Sequence, residues 1–244
     1  MPLETSENRK LITAGLMLMR HAIRRHGFLD KNSRVLVGTS GGVDSLVLLT
    51  LLVEYNKQYH QGWEIHACHI HPQFPQWNVQ IVEKFLKKYN IPYTIVTIDI
   101  NKNIKQRTHK CYMCSRERRR KLLELADSLS IFQIALAHHK EDAAETILLN
   151  MMYNAEISTL VPKQSVIQGR FFFIRPLYYF AKETINKLAQ AFNLPQQKNI
   201  CPYFEESKRE EVREFLTTLQ RENPDVYKNI FRSIFTIKHS YMPH

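Results

Sequence analysis

Two short stretches of this chain hold residues whose types and spacing suit bond-making chemistry. The first is Ser40-Gly41-Gly42-Val43-Asp44-Ser45. Paired glycines let a backbone come close to an anion, and a helix opening directly after them presents unpaired N–H groups to it. The hydroxyls of Ser40 and Ser45 are suited to donate to phosphate oxygens. Asp44 repels a phosphate unless a cation stands between them, so it points to Mg2+ or to a structural clamp. No lysine follows the glycines, which excludes a Walker A loop, and the spacing is not G-x-G-x-x-G. An ordinary strand-to-helix turn is the plain alternative for these residues.

The second stretch is Cys111-Tyr112-Met113-Cys114. C-x-x-C brings two thiolates within reach of one metal or cluster, and the distant Cys201 can complete a site with three protein ligands. On residue types alone, zinc held by three cysteines and a histidine is favoured, and His109 is close enough in sequence to serve. Cys68 lies inside an apolar strand and reads as a small core residue. A disulfide framework is not expected in a reducing compartment. Among the 11 histidines, His21, His26, His60, His239 and His244 read as solvated or local packing. His138 differs, because it follows the apolar run Phe132–Ala137 at the strand end where ligands bind. Glu145 reads as a helix-orienting residue.

These groups need a scaffold, and the hydrophobic pattern supplies one. Apolar residues at three- and four-residue steps from Leu11 to Ile23 make a helix with a basic end, closed by Gly27. Strands are expected at Val35–Val37, Ile65–Ile70, Tyr93–Ile98, Phe132–Ala137 and Phe171–Ile174. Helices are expected at Leu46–Val53, Val79–Tyr89, Arg116–Leu129 and Ala143–Met152, then Ala181–Ala191 and Glu205–Arg221. Strands alternating with helices predict an α/β fold with a doubly wound, mostly parallel sheet. The expected organisation is an N-terminal helix over 1–30, an α/β domain over 31–180 carrying the C-x-x-C, and a helical segment over 181–244 packed on that domain.

With 244 residues, 44% of them hydrophobic, the chain can bury a core without disulfide or metal staples. No apolar run reaches membrane-spanning length and no signal peptide is evident at the start, so a soluble cytoplasmic protein is expected. The net charge of +11 favours a polyanionic partner. Between Lys102 and Lys121 nine basic residues face one acid, Glu117, a local charge of +8 around the C-x-x-C. A solvated helix face is the plain reading of such a run. Phosphate contacts to a nucleic acid through Arg116, Arg118, Arg119, Arg120 and Lys121 are the functional one, with Arg20, Arg24 and Arg25 extending the same field.

The Ser40–Ser45 loop resembles the SGGxDS signature of the PP-loop pyrophosphatases, with their adenine nucleotide α-hydrolase-like fold. Cys111 to Arg119 is similar to the CxxCSRxRR segment of the tRNA 2-thiocytidine synthetases, and Ala135 to Thr146 to their ALGHHxxDxxET segment. Further similar blocks are Asn150-Met151-Met152-Tyr153, Ile174-Arg175-Pro176-Leu177 and Pro72-Gln73-Phe74-Pro75. The resemblance runs in order from about Leu11 to Cys201. Two positions depart from it: Val43 stands where those enzymes usually carry lysine, and Phe204 where a second C-x-x-C often places its other cysteine.

The resemblance implies ATP-dependent 2-thiolation of a tRNA cytidine of the anticodon-loop position 32 type. It implies ATP binding by Thr39, Ser40, Gly41, Gly42, Asp44, Ser45, His69, Ala137, His138 and Asp142, with Mg2+. It further implies a [4Fe-4S] cluster on Cys111, Cys114 and Cys201, with Asp44 and these cysteines as the catalytic set. The partners it implies are tRNA and a sulfur donor such as a cysteine desulfurase or free sulfide. Oligomeric state stays open, a homodimer included. The alternatives are a PP-loop ligase or sulfurtransferase acting on another tRNA base or a small molecule, or a non-catalytic nucleotide- and metal-binding regulator.

Overall fold

The structure is a computed structural model and describes residues 5–74, 77–99, 110–195, 201 and 207–241. Helix α1 (Ser6–His26) starts where the Thr5 side chain accepts from the Asn8 amide at 3.2 Å and stops where Gly27 turns left-handed. Then follow β1 (Arg34–Gly38), α2 (Val43–Gln58), β2 (Glu64–His71), α3 (Val79–Lys88), β3 (Tyr93–Thr97) and α4 (Lys110–Ser128). After these come β4 (Gln133–Ala135), α5 (Lys140–Tyr153), β5 (Lys163–Val166), β6 (Phe171–Ile174), α6 (Lys182–Ala191), α7 (Lys208–Glu222) and α8 (Val226–Ser233).

The sheet runs in the order β3-β2-β1-β4-β6-β5, parallel throughout except for β5, which pairs antiparallel with β6. This is the doubly wound sheet that the alternation predicts. Alternate residues of the strands feed two cores. Val35, Val37 and Ala135 face the layer of α1, α2 and α6, while Leu36, Cys68 and Ile134 face α4. A parallel strand covered on both faces is apolar without interruption, as Val35-Leu36-Val37 is. Helix α2 is buried from Ser45 to Leu52 because the sheet lies on one side of it and α1 and α6 on the other. Gly15 lets α1 come close to α6: a Cβ there would stand 3.2 Å from the Leu188 side chain.

Three elements, α4, β4 and α7, have boundaries other than those expected, and two, β5 and α8, were not expected at all. Helix α4 begins six residues before Arg116, so the C-x-x-C lies in its first turn and not in a loop before it. Strand β4 is regular only over Gln133–Ala135, although Phe132 still accepts from Phe172 and Leu136 still donates to Ile174, both at 2.9 Å. Strand β5 is polar and paired on one edge only, and α8 has eight residues, so neither leaves a clear periodic signal. Helix α7 begins at Lys208, capped by Ser207, and residues 202–206 lie outside the described part.

Strand order decides where a ligand can enter. From β1 the chain steps outward to β2 and β3, then returns to place β4 on the opposite side of β1. The crevice beyond the carboxyl ends of β1 and β4 is therefore the topological switch point. It is bounded by the Ser40–Ser45 loop and by the turn from His138 to Asp142.

Candidate active site

The loop after β1 is held from within. Gly41 adopts φ +87°, a conformation that glycine takes without strain. The Gly42 amide donates to Ser40 Oγ at 3.2 Å, Ser40 Oγ donates to Ser45 Oγ at 3.2 Å, and Ser45 Oγ donates to the Gly42 carbonyl at 2.8 Å. Thr39 is buried, and its amide donates to the Cys68 carbonyl at 2.8 Å. The loop thus opens α2 with Gly42 as N-cap and no side chain covering its first amides. That arrangement suits an anion.

A run of contacts leads from this loop toward the thiols. The Thr39 carbonyl lies 2.7 Å from Nδ1 of the buried His69, and Trp77 Nε1–H donates to His69 Nε2 at 3.1 Å. Because Nε2 accepts, Nδ1 carries the proton and donates to Thr39. Burial keeps this imidazole neutral by lowering its pKa, against the favourable hydrogen bond to Thr39. The Arg118 guanidinium lies 5.4 Å from the Trp77 ring centre, its buried Nε without a hydrogen-bond partner, and it is close enough to the Cys114 thiol to favour the thiolate. Contacts therefore run without a break from Thr39 to Arg118, four residues after Cys114 on α4.

Cys111 and Cys114 stand three residues apart in the first turn of α4, on one side of the helix. Cys114 and Cys201 pack on the same apolar cluster, close enough for Cys201 to add to the upward shift of the Cys114 pKa. All three thiols are half-buried. Burial raises the pKa of Cys114, with Arg118 opposing that shift. Cys68 is buried in the core with its pKa raised to about 12 by burial, as its place in an apolar strand predicts. Among the described residues no three His, Cys, Asp or Glu side chains are grouped so as to hold a single metal ion. His109 lies outside the described residues. The half-buried thiols of Cys111, Cys114 and Cys201 are therefore not drawn together around one point in this structure, although thiolate is the donor type that iron–sulfur ligation takes.

Across the crevice, Ala137 and His138 lead from β4 into α5. The Arg175 Nε donates to His138 Nδ1 at 3.2 Å. Asp142 uses one carboxylate oxygen to accept from the His139 amide at 2.8 Å and the other to accept from Arg209 at 2.7 Å. Burial opposes its ionised form, but the charges of His139 and Arg209, with the hydrogen bond from the His139 amide, outweigh burial and lower its pKa. Burial also disfavours charge on His139, yet the hydrogen bond to Glu141 at 2.9 Å, with Asp142 and Asp44 nearby, raises its pKa. Asp44 is paired with Lys182 and lies 4.0 Å from His139 Nε2. Glu145 is buried under two arginines of α7, Arg209 at 3.0 Å and Arg213 at 2.9 Å, which supports its reading as an orienting residue.

The basic run divides in the structure. Arg116 and Arg119 are exposed. Arg120 is paired with Glu117 and Glu124, and Lys121 with Glu124 at 2.8 Å. Arg118 turns inward to Trp77 and Cys114. Lys102, Lys105 and Arg107 lie outside the described residues, as does Pro75. Sequence reading passes over Trp77, Lys182 and Arg209, since their partners lie far along the chain. Only the singling out of Ile174-Arg175-Pro176-Leu177 marks Arg175.

Residues 16–219 match the PP-loop domain model, and the chain belongs to that family. More particularly, a tRNA-cytidine(32) 2-sulfurtransferase from Herminiimonas arsenicoxydans is 30% identical over 241 residues, 97% of this chain and 76% of that protein. One from Methylobacillus flagellatus is 29% identical over 226 residues, 91% of this chain and 75% of its own. Among solved structures, the U34-tRNA thiolase NcsA from Methanococcus maripaludis with its [4Fe-4S] cluster superposes with a TM-score of 0.78 at 23% identity, covering 97% of this chain and 81% of that one. That likeness is one of fold. No helix among the described residues is long and apolar enough to cross a membrane.

Proposed function

We propose that this chain is an ATP-dependent tRNA thiolase that replaces the C2 oxygen of a cytidine with sulfur. The single observation that supports the reading is the run of contacts Thr39–His69–Trp77–Arg118, which brings the Ser40–Ser45 loop toward the α4 turn that carries Cys114. Activation acts on the oxygen and sulfur delivery on the carbon of one C2–O group, so the two steps have to share one site. The names of the sulfurtransferase relatives support cytidine as the base.

The Ser40–Ser45 loop holds the phosphates of ATP with backbone amides and hydroxyls. Asp44 and the Asp142 side of the crevice receive the hard cation that travels with the nucleotide, Mg2+, through oxygen ligands. The cytidine C2 oxygen attacks the α-phosphorus, the α–β bond breaks, and pyrophosphate leaves. A sulfide then attacks C2, the C–O bond breaks, and AMP departs with the original oxygen. No electron changes hands in either step. Cys111, Cys114 and Cys201 would hold a [4Fe-4S] cluster, which supplies when bound an iron free of protein ligands for the sulfide. Arg118 lowers the cost of a thiolate at Cys114. The sulfur comes from free sulfide, or from the persulfide of a cysteine desulfurase once a thiol reductant has released it as sulfide with formation of a disulfide.

The base must leave its stack to reach such a crevice, so an unpaired anticodon-loop cytidine is the natural target. Arg116 and Arg119, exposed beside Cys114, contact the tRNA backbone. Mass spectrometry of tRNA nucleosides from a deletion strain tests the assignment. Loss of 2-thiocytidine, restored by the wild-type gene, is the expected result. Loss of a different thionucleoside, or of none, overturns it.

A further inference from the structure

The phosphate loop brings no cation of its own, because Val43 follows its glycines where a phosphate-binding loop commonly carries lysine. An ammonium nevertheless reaches the loop from elsewhere in the chain. Lys182, the first residue of α6, sets its Nζ against Asp44. The Lys182 amide donates to Glu141 Oε1 at 3.0 Å, and Glu141 Oε2 meets His139 Nδ1 at 2.9 Å. The root of the lysine is therefore fastened to the turn on the far side of the crevice.

The ends of the pair remain accessible, with the Lys182 side chain 41% exposed and that of Asp44 32% exposed. Neighbouring cations are committed to other duties. Arg209 and Arg213 close on the buried Glu145, and Arg175 is enclosed by His138, Val161 and Gln164. Among these crevice cations of the described residues, Lys182 is the one that can change partner without disturbing a buried contact.

From this geometry we propose that Lys182 is the phosphate-contacting cation of this chain. It leaves Asp44 when the nucleotide enters and lays its ammonium on the β- and γ-phosphates, while Asp44 turns to the cation that accompanies ATP. The proposal rests on the nucleotide reading above. A partly exposed ion pair is readily exchanged. A polyphosphate offers the ammonium several acceptor oxygens with more charge than one carboxylate. The exchange also removes the repulsion between Asp44 and the incoming phosphates, because each member of the pair gains a new partner of opposite sign. Since the pyrophosphate end leaves after α-attack, the same ammonium stabilises the departing group.

Calorimetric titration of the full chain with inorganic pyrophosphate, ATP with Mg2+, and AMP tests the inference. Lys182→Met should weaken pyrophosphate and ATP binding by about tenfold or more and leave AMP binding unchanged. Lys182→Arg, which keeps the charge, should retain most of the pyrophosphate affinity. Iron content should not change in either variant. Pyrophosphate binding by Lys182→Met as tight as wild type would overturn the assignment, as would a parallel loss of AMP, which marks a role only in shaping the loop. Wild-type protein that binds neither ATP nor pyrophosphate would overturn the nucleotide reading together with this one. A wild type that binds both beside an unaffected Lys182→Met would overturn this one alone.

Discussion

Arg175 Nε donates to His138 Nδ1 across 3.2 Å, and that bond fixes the proton of the imidazole on Nε2. Burial lowers the pKa of His138 to about 3, and Arg175 and Arg209 reinforce the shift against the pull of Asp142. The ring is a neutral donor at any working pH.

A pH dependence of stability follows. The unfolded histidine binds a proton near pH 6.5, whereas the folded one stays neutral down to about pH 3. The unfolded state therefore holds more protons in this window, and stability falls as pH is lowered through it. Urea denaturation at a series of pH values should show His138→Asn with a slope shallower than wild type by up to about 1.4 kcal/mol per pH unit between pH 6.5 and 4.5. Identical slopes would contradict a neutral His138.

Glu145 is a buried anion that joins α5 to α7 through Arg209 and Arg213. Glu145→Gln keeps the shape but leaves two guanidinium groups facing a neutral amide. A loss of about 1–3 kcal/mol in unfolding free energy is expected, because a buried carboxylate that accepts from two guanidinium groups is neutralised, while Arg209 and Arg213 keep Asp142 and Glu210 as partners. A change below about 1 kcal/mol, the size of a surface pair, would contradict the reading.

Exposure separates the arginines near the C-x-x-C. Arg116→Ala with Arg119→Ala should weaken tRNA binding and reduce the salt slope by about one for each phosphate no longer neutralised. Arg120→Ala should change the slope little, since that guanidinium is held by Glu117 and Glu124. Filter binding across a salt series separates the two outcomes, and equal effects would mean that the whole run acts as a diffuse field.

Much of the scaffold was legible because its signals are local. The apolar run Val35-Leu36-Val37, the Gly41-Gly42 turn and the stepped pattern of α1 each declare an element within a few residues. The six-residue loop and the C-x-x-C were legible for the same reason. What escaped depends on the tertiary fold. Lys182 meets a partner 138 residues away, and Arg209 meets Asp142 across 67. Charge counting assigned Arg118 to tRNA because it cannot distinguish an outward arginine from one turned onto a tryptophan. Strand β5 escaped because a polar edge strand carries no alternation.

The cysteines divide by environment. Protein purified without air should be brown, with about four irons per chain. Cys111→Ala, Cys114→Ala and Cys201→Ala should each remove the iron, while Cys68→Ala should keep it, since that thiol is buried in the core. Elemental analysis decides the matter. One tightly bound zinc in a colourless protein would contradict the cluster, and iron retained by Cys201→Ala would remove that residue from the ligand set.

Adenylation of the cytidine C2 oxygen before sulfur replaces it is the step on which the proposed function depends. Tracing that oxygen puts the step to the test. Reconstituted full-length protein is supplied with ATP, Mg2+, sulfide and a tRNA whose cytidines carry oxygen-18 at C2, and the nucleotide products are analysed by mass spectrometry. The expected products are pyrophosphate, 2-thiocytidine in the tRNA, and AMP bearing one oxygen-18 for each sulfur introduced. AMP without the label, or ADP and phosphate in place of AMP and pyrophosphate, would contradict activation of the base as its adenylate.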